Sequence, residues 1–186
     1  MRVVLVLAAV TLLSACDKKQ GGRAALEENP QAAPSVIAIA NMFGTCEDIA
    51  VCEAECDAGN ADRCRKVGTT YQFGTKSVAK DDKRALAYYE SACAMKNGAA
   101  CVSAGQMYEF HHGVDKDDVK AAAFYKQGCD LQSQVGCANY AIMLEKGRGV
   151  AKDETAAAIL YDKACREGAG LACDRLKVLK TATGDR

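Results

Sequence analysis

The chain has 186 residues, with 24 Lys plus Arg against 24 Asp plus Glu, so its formal net charge is zero. That length suits one medium domain, and balanced charge leaves no footprint for gripping a phosphate backbone, which argues against nucleic-acid binding. Hydrophobic residues make up 49%, charged residues 26%, and Pro occurs only 2 times, a balance that excludes a disordered, collagenous or polytopic membrane chain. The anomaly is a count of 11 cysteines, which signals metal or redox chemistry in a reducing compartment and a disulfide framework in an exported chain.

The start of the sequence decides between these. Arg2 precedes an apolar run from Val3 to Leu13, too short to span a bilayer as a helix and typical of a signal peptide. The run ends in Leu13-Ser14-Ala15-Cys16, which resembles the bacterial lipobox. Residues 1–15 therefore read as a lipoprotein signal peptide and Cys16 as the acylated N-terminus. Setting Cys16 aside leaves an even number of cysteines, as complete pairing requires. Asp17 resembles an inner-membrane retention signal of the enteric type, a sorting rule that varies between bacteria, so inner and outer membrane stay open. Residues 16–44 form the lipidated N-terminus and a flexible linker, because Asp17 to Ser35 is rich in Lys, Gln, Gly, Ala and Pro and lacks an apolar period.

Residues 45–180 are written as a repeat, followed by a short tail over 181–186. Cys56/Cys64, Cys93/Cys101, Cys129/Cys137 and Cys165/Cys173 share a C-x7-C spacing and recur at intervals of 37, 36 and 36 residues. A fixed period of this length marks a solenoid built from one supersecondary unit. Tyr71, Tyr108 and Leu144 follow the second Cys of each pair at equal distance, and Val78-Ala79-Lys80-Asp81 recurs as Val114-Asp115-Lys116-Asp117 and Val150-Ala151-Lys152-Asp153. Ala-rich segments then lead to Tyr89, Tyr125 and Tyr161, each four residues before the next Cys.

Two helices per repeat follow from this pattern. Cys64, Val67, Gly68 and Tyr71 fall at helical spacing, as do Cys101, Ala104, Gly105 and Tyr108, and Cys137, Tyr140, Ala141 and Leu144, giving each first helix one buried stripe. Gly68, Gly105 and Ala141 are small where another helix is expected at close range. Asp81, Asp117 and Asp153 suit the N-cap of each second helix, with Asp82, Asp118 and Glu154 placed favourably in the helix dipole. Gly74, Gly113, Gly147 and Gly149 break the chain between the two helices.

On one continuous helix, residues eight apart lie about 12 Å apart along the axis, whereas bridged Cα atoms lie within about 7 Å. The chain must therefore turn inside each C-x7-C, with Gly59, Gly98, Gly136 and Gly168 available in those intervals. Each bridge would staple the second helix of one repeat to the first helix of the next. Cys46 and Cys52 make a fifth pair, provided that the helix begins after Cys46.

The combination of G-V-x-K-D, the aromatic run before Cys and C-x7-C resembles Sel1-like repeats, in particular the cysteine-rich exported branch typified by the Helicobacter cysteine-rich proteins. The resemblance covers about residues 46 to 180. It implies an all-α, right-handed αα superhelix related to tetratricopeptide repeats, with about three and a half repeats stapled by disulfides. Residues 46 to 58 fit a degenerate second helix in which Cys52 occupies the position of Tyr89, Tyr125 and Tyr161.

Other chemistry is weaker. Zinc sites favour close Cys pairs or Cys with His, whereas here the pairs are C-x7-C and the two His, His111 and His112, are neighbours in a loop, so neither metal nor cofactor is expected. A thiol oxidoreductase would want a C-x2-C motif, which does not occur. The cysteine-rich relatives are associated with penicillin binding and classed as β-lactamases, and Ser77-Val78-Ala79-Lys80 matches S-x-x-K. Its companion motifs S-D-N and K-T-G are missing, and Lys80 belongs to the repeat itself, so no catalytic residue is assigned.

Recognition remains, on the concave face lined by the first helices of an αα solenoid. The expected face comprises Thr69 and Phe73, Gln106 and Phe110, Ile142 and Lys146, and Arg175 with Val178, the two Phe serving as aromatic anchors. The expected function is a lipid-anchored periplasmic scaffold that docks an envelope protein, a peptide or a peptidoglycan-related ligand and touches the membrane through its lipid only. A β-lactam-binding or hydrolysing protein is the alternative.

Overall fold

The computed structural model describes residues 46–183, and among these it shows eight helices and no strand. The signal peptide, Cys16 and the linker to residue 44 lie outside the described residues, as do the last three residues of the tail. The helices are α1 (Ile49–Asp57), α2 (Ala61–Phe73), α3 (Asp82–Ala94), α4 (Gly98–Glu109), α5 (Asp118–Asp130), α6 (Gln134–Lys146), α7 (Glu154–Arg166) and α8 (Gly170–Thr183). Each packs chiefly on its neighbours in the chain, and α4 also reaches α6, the first helix of the following repeat. The result is an αα solenoid.

The repeated aspartates start the second helices. Asp81, Asp117 and Asp153 are extended N-caps whose carboxylates accept from the backbone N–H of Arg84, Lys120 and Ala156. Their own amides donate back to the carbonyls of Tyr71, Tyr108 and Leu144. One residue thus satisfies an orphan donor of the new helix and ties it to the preceding one. No helix is long and apolar enough to cross a membrane among the described residues.

Small residues set the spacing between the two helices of a repeat. A Cβ added at Gly68 would lie 2.7 Å from Cδ1 of Tyr89, and one at Gly105 would lie 2.7 Å from Cε1 of Tyr125. The rings fill the space a side chain would take, so Tyr89, Tyr125 and Tyr161 are at most 1% exposed. Around them the core is mainly Ala and Cys, with Leu, Val and Met. Thr70, Met107 and Met143, one residue before the stripe position held by Tyr71, Tyr108 and Leu144, are also fully buried; the periodicity did not single them out.

The cysteine pairs close across the turns between repeats. Cys56–Cys64, Cys93–Cys101, Cys129–Cys137 and Cys165–Cys173 join α1 to α2, α3 to α4, α5 to α6 and α7 to α8, with Cα atoms 4.3 to 4.8 Å apart. Cys46 and Cys52 bridge at a Cα separation of 6.3 Å, and α1 begins after Cys46, at Ile49. In the chain-entropy model, closing one nine-residue loop contributes about 2.5 kcal/mol, a useful increment where the core is Ala-rich.

One expectation about the turns is corrected. Gly98 and Gly136 do not turn the chain: they sit inside α4 and α6, where an added Cβ at Gly136 would lie 2.8 Å from the backbone N of Cys129. The turning position is held by Gly59, Lys96, Gln132 and Gly168, all at positive φ. Lys and Gln accept that left-handed conformation at a cost in steric strain, while glycine is spent where backbone approaches backbone.

Candidate functional site

The first helices place Gln106 on α4 and Phe110 at its C-cap beside Asn139 and Ile142 on α6, around a hollow of about 150 Å³. Spacings of three and four residues put each pair on one helix face. Glu109, Tyr125 and Arg148 complete the lining. The carboxylate of Glu109 accepts from the Tyr125 hydroxyl at 2.6 Å through one oxygen and from Arg148 Nη2 at 2.7 Å through the other. Arg148 Nε is buried and has no partner among the described residues.

This acid and phenol pair recurs. Tyr161 donates to Glu145 at 2.7 Å, and Arg175 lies 3.6 Å from the same residue. Tyr89 donates to Gln72 at 2.8 Å and to Thr69 at 3.1 Å. Burial first, and then the hydrogen bond to a carboxylate, push the Tyr125 and Tyr161 hydroxyls well above the usual phenol range. These groups are therefore fixed neutral donors. The signal in the sequence was an acid placed 16 residues before the buried Tyr in two repeats, at Glu109 and Glu145.

Of the residues expected on the docking face, the structure brings Gln106, Phe110 and Ile142 around the hollow. Phe73 and Phe110 are 65% and 59% exposed, and Lys146 is exposed one turn beyond Ile142. Thr69 is corrected: it is only 7% exposed, its hydroxyl engaged with Tyr89 and with the Arg65 carbonyl, because Tyr89 lacks a glutamate at position 72 and takes a second partner. Arg175 is half-buried against Glu145 rather than free on the face. Val178 stands at the register position of Ile142 and is 58% exposed.

A second, more open hollow of about 310 Å³ lies at the first repeat, lined by Ile49, Tyr71, Ser77, Lys80 and Arg84 among others. Its origin is a packing difference. In the later repeats Gly113 and Gly149 press so closely on Asp82 and Asp118 that an added Cβ would collide with them. Ser77 holds the same register. Among the described residues α1 begins only at Ile49, beyond the register position that Asp82 and Asp118 hold in the later repeats. The Ser77 hydroxyl lies 3.3 Å from that of Thr75, while Lys80 Nζ pairs with Asp82 at 3.3 Å.

A family model described as the Sel1 repeat matches residues 64–97, 98–133 and 134–168, more than half of the chain. The chain belongs to the Sel1-repeat family. A Sel1 repeat protein from Oxalobacter formigenes is 26% identical over 71% of this chain and 98% of its own, with a TM-score of 0.64. Helicobacter pylori cysteine rich protein B is 26% identical over 78% of this chain and 98% of its own, with a TM-score of 0.55. Among curated relatives, cytochrome c oxidase assembly factor 7A of Xenopus laevis is 34% identical over 59 residues, which is 32% of this chain and 26% of that protein.

As a Sel1-repeat chain the molecule is a scaffold of a kind that supports protein interaction. The Ser77 hydroxyl is engaged with that of Thr75 and Lys80 with Asp82, although both residues line the hollow of the first repeat. His111 and His112 are exposed in the loop after α4, the His112 ring tilted against Phe110 at 6.4 Å. The described residues contain no cluster of His, Cys, Asp or Glu able to hold a metal ion.

Proposed function

We propose that this Sel1-repeat chain is a lipid-anchored scaffold of the cell envelope, facing the periplasm, that docks a protein or peptide on its first-helix face. The observation that carries the docking reading is the hollow between α4 and α6, where residues from equivalent positions of two repeats meet around one cavity. Exposed Phe110 at its edge offers the rigid aromatic area that interface anchors use. The lipobox ending at Cys16 and the even set of remaining cysteines support an exported, anchored protein. A peptidoglycan-related ligand would use the same face.

Crosslinking in intact envelopes through a photoreactive residue at position 110 tests this reading. The expected outcome is a discrete captured partner, weakened by Phe110→Ala at unchanged thermal stability. Cys16→Ser should release the protein from the membrane fraction, and unchanged fractionation would refute the anchor. Nitrocefin hydrolysis by the disulfide-intact protein, lost in Ser77→Ala, would replace the scaffold with an acyl-transfer enzyme.

A further inference from the structure

The hollow between α4 and α6 has a chemistry more specific than a generic docking face. Both oxygens of Glu109 are engaged, one by Arg148 and one by Tyr125, so the single acid at its floor is neutralised and hydrogen-bonded. Glu145, at the same position of the next repeat, accepts from the Tyr161 hydroxyl and forms a longer ion pair with Arg175 at 3.6 Å. The acids of this face are thus consumed inside the fold.

The donors are not. Arg148 lines the cavity and gives Nη2 to Glu109, while its Nε, without a partner among the described residues, is enclosed by the protein. The side-chain amides of Gln106 and Asn139 line the cavity without a side-chain hydrogen bond among the described residues. Lys146, on the face of α6 that carries Asn139 and Ile142, is exposed and pairs with no acid there. The Arg148 guanidinium and two amides line a cavity of about 150 Å³, and with the exposed Lys146 ammonium one turn beyond Ile142 they complement an anion of side-chain size. Phe110 and Ile142 supply apolar wall for the stem that carries it.

We propose that this hollow is the anchor site for an acidic side chain, Asp or Glu, of an extended peptide segment laid across α4 and α6. The carboxylate accepts from Asn139, Gln106 and Arg148, Lys146 steers it from the rim, and a neighbouring apolar side chain of the peptide rests on Phe110. This inference rests on the docking reading above and adds to it the charge of the residue that is recognised.

The test uses the full chain purified with its disulfides intact and fluorescent octapeptide pools, randomised except for one central position fixed as Glu, Asp, Gln or Lys, read by anisotropy. The Glu or Asp pool should bind about tenfold more tightly than the Gln pool, as expected for one charge-assisted hydrogen-bond set, with the Lys pool weakest. Asn139→Leu and Lys146→Glu should each abolish that preference while leaving the thermal midpoint unchanged. Neither residue makes a side-chain hydrogen bond within the described fold, so both variants are expected to fold. Equal binding of the Glu and Gln pools, or a preference that survives both variants, would overturn the anchor. A partner crosslinked at position 110 with no acidic preference would leave the docking reading standing and remove only the acid anchor. An acidic preference lost in both variants, with no partner captured in envelopes, would keep the anchor and remove the envelope partner.

Discussion

The outer packing of the first repeat and that of the third solve the same problem with different chemistry. At the first, Glu53 on α1 accepts from the Tyr71 hydroxyl at 2.7 Å, the Tyr88 hydroxyl at 2.9 Å and Arg84 at 3.0 Å. Tyr71 and Tyr88 stack at 5.8 Å and the Arg84 guanidinium lies 4.0 Å over the Tyr71 ring. The second repeat keeps a reduced version: Tyr108 donates to Glu90 at 2.8 Å, stacks on Phe124 at 5.7 Å and has Lys120 Nζ 5.0 Å above it. In the third, the same register positions are Lys126, Leu144, Leu160 and Ala156. The polar and aromatic cluster has become aliphatic. Helix placement is nevertheless kept, because the Tyr that fixes helix spacing, the N-cap Asp and the cystine staple lie elsewhere and occur in all three. A solenoid stabilised by nearest-neighbour interfaces tolerates such local substitution.

The staples should therefore matter most and equally at both ends. Paired Cys→Ala changes at Cys56 and Cys64, and separately at Cys129 and Cys137, should each cost about 2.5 kcal/mol in chemical unfolding. Costs differing by more than about 1 kcal/mol would show that the aromatic cluster and the staple act together rather than independently. Accessibility separates one bridge from the rest. Cys165 and Cys173 are half-buried while the other eight bridging cysteines are buried, so mild reductant followed by alkylation and peptide mapping should label that pair first.

Helix spacing offers a sharper contrast. Gly105→Ala forces a Cβ against the Tyr125 ring and should cost about 1–3 kcal/mol by overpacking, despite the better helix propensity of Ala. Ala141→Gly, at the same register in the third repeat, should cost only about 1 kcal/mol. Equal losses would mean that the tyrosine does not set the spacing. Within the outer packing, Glu53→Ala strips the acceptor from three donors and should destabilise by about 2 kcal/mol, against about 1 kcal/mol for Tyr108→Phe. Urea midpoints of the two variants measure this difference.

The smallest effect is on pH dependence. Burial, followed by hydrogen bonding to Glu53 and Glu90, pushes the Tyr71 and Tyr108 hydroxyls up to about 12. A phenol whose folded pKa exceeds its unfolded value of 10.0 contributes stability that is fully present below that value and is lost as pH rises towards 12. Thermal midpoints should hold steady to about pH 9 and then fall, and Tyr71→Phe with Tyr108→Phe should lessen that fall while the buried Tyr125 and Tyr161 keep the remainder. Leu144 has no such group, so the third repeat contributes nothing through this register position.

Much of the architecture was legible from the chain because the repeat states each rule several times over. Asp before an Ala-rich run, Gly facing an invariantly placed Tyr, and C-x7-C each encode a local geometry, and recurrence in register distinguishes them from chance. The docking face was legible only in part. Helical spacing placed Gln106, Phe110 and Ile142 on one side of their helices, and the structure joined them in one cavity. The same reasoning put Thr69 outside, where Tyr89 had claimed its hydroxyl from a different helix.

Sequence by itself thus determined the solenoid, its caps and the pairs of cysteines that face each other across a turn, since all of these depend on residues close in the chain or repeated at a constant interval. Tertiary structure alone decided which polar groups are spent. Arg148 reaches Glu109 from 39 residues away, and Lys96 and Gln132 take the left-handed turn while glycine at positions 98 and 136 lies close to neighbouring backbone. Such choices depend on distances between repeats, which arise from packing and which no single stretch of chain contains.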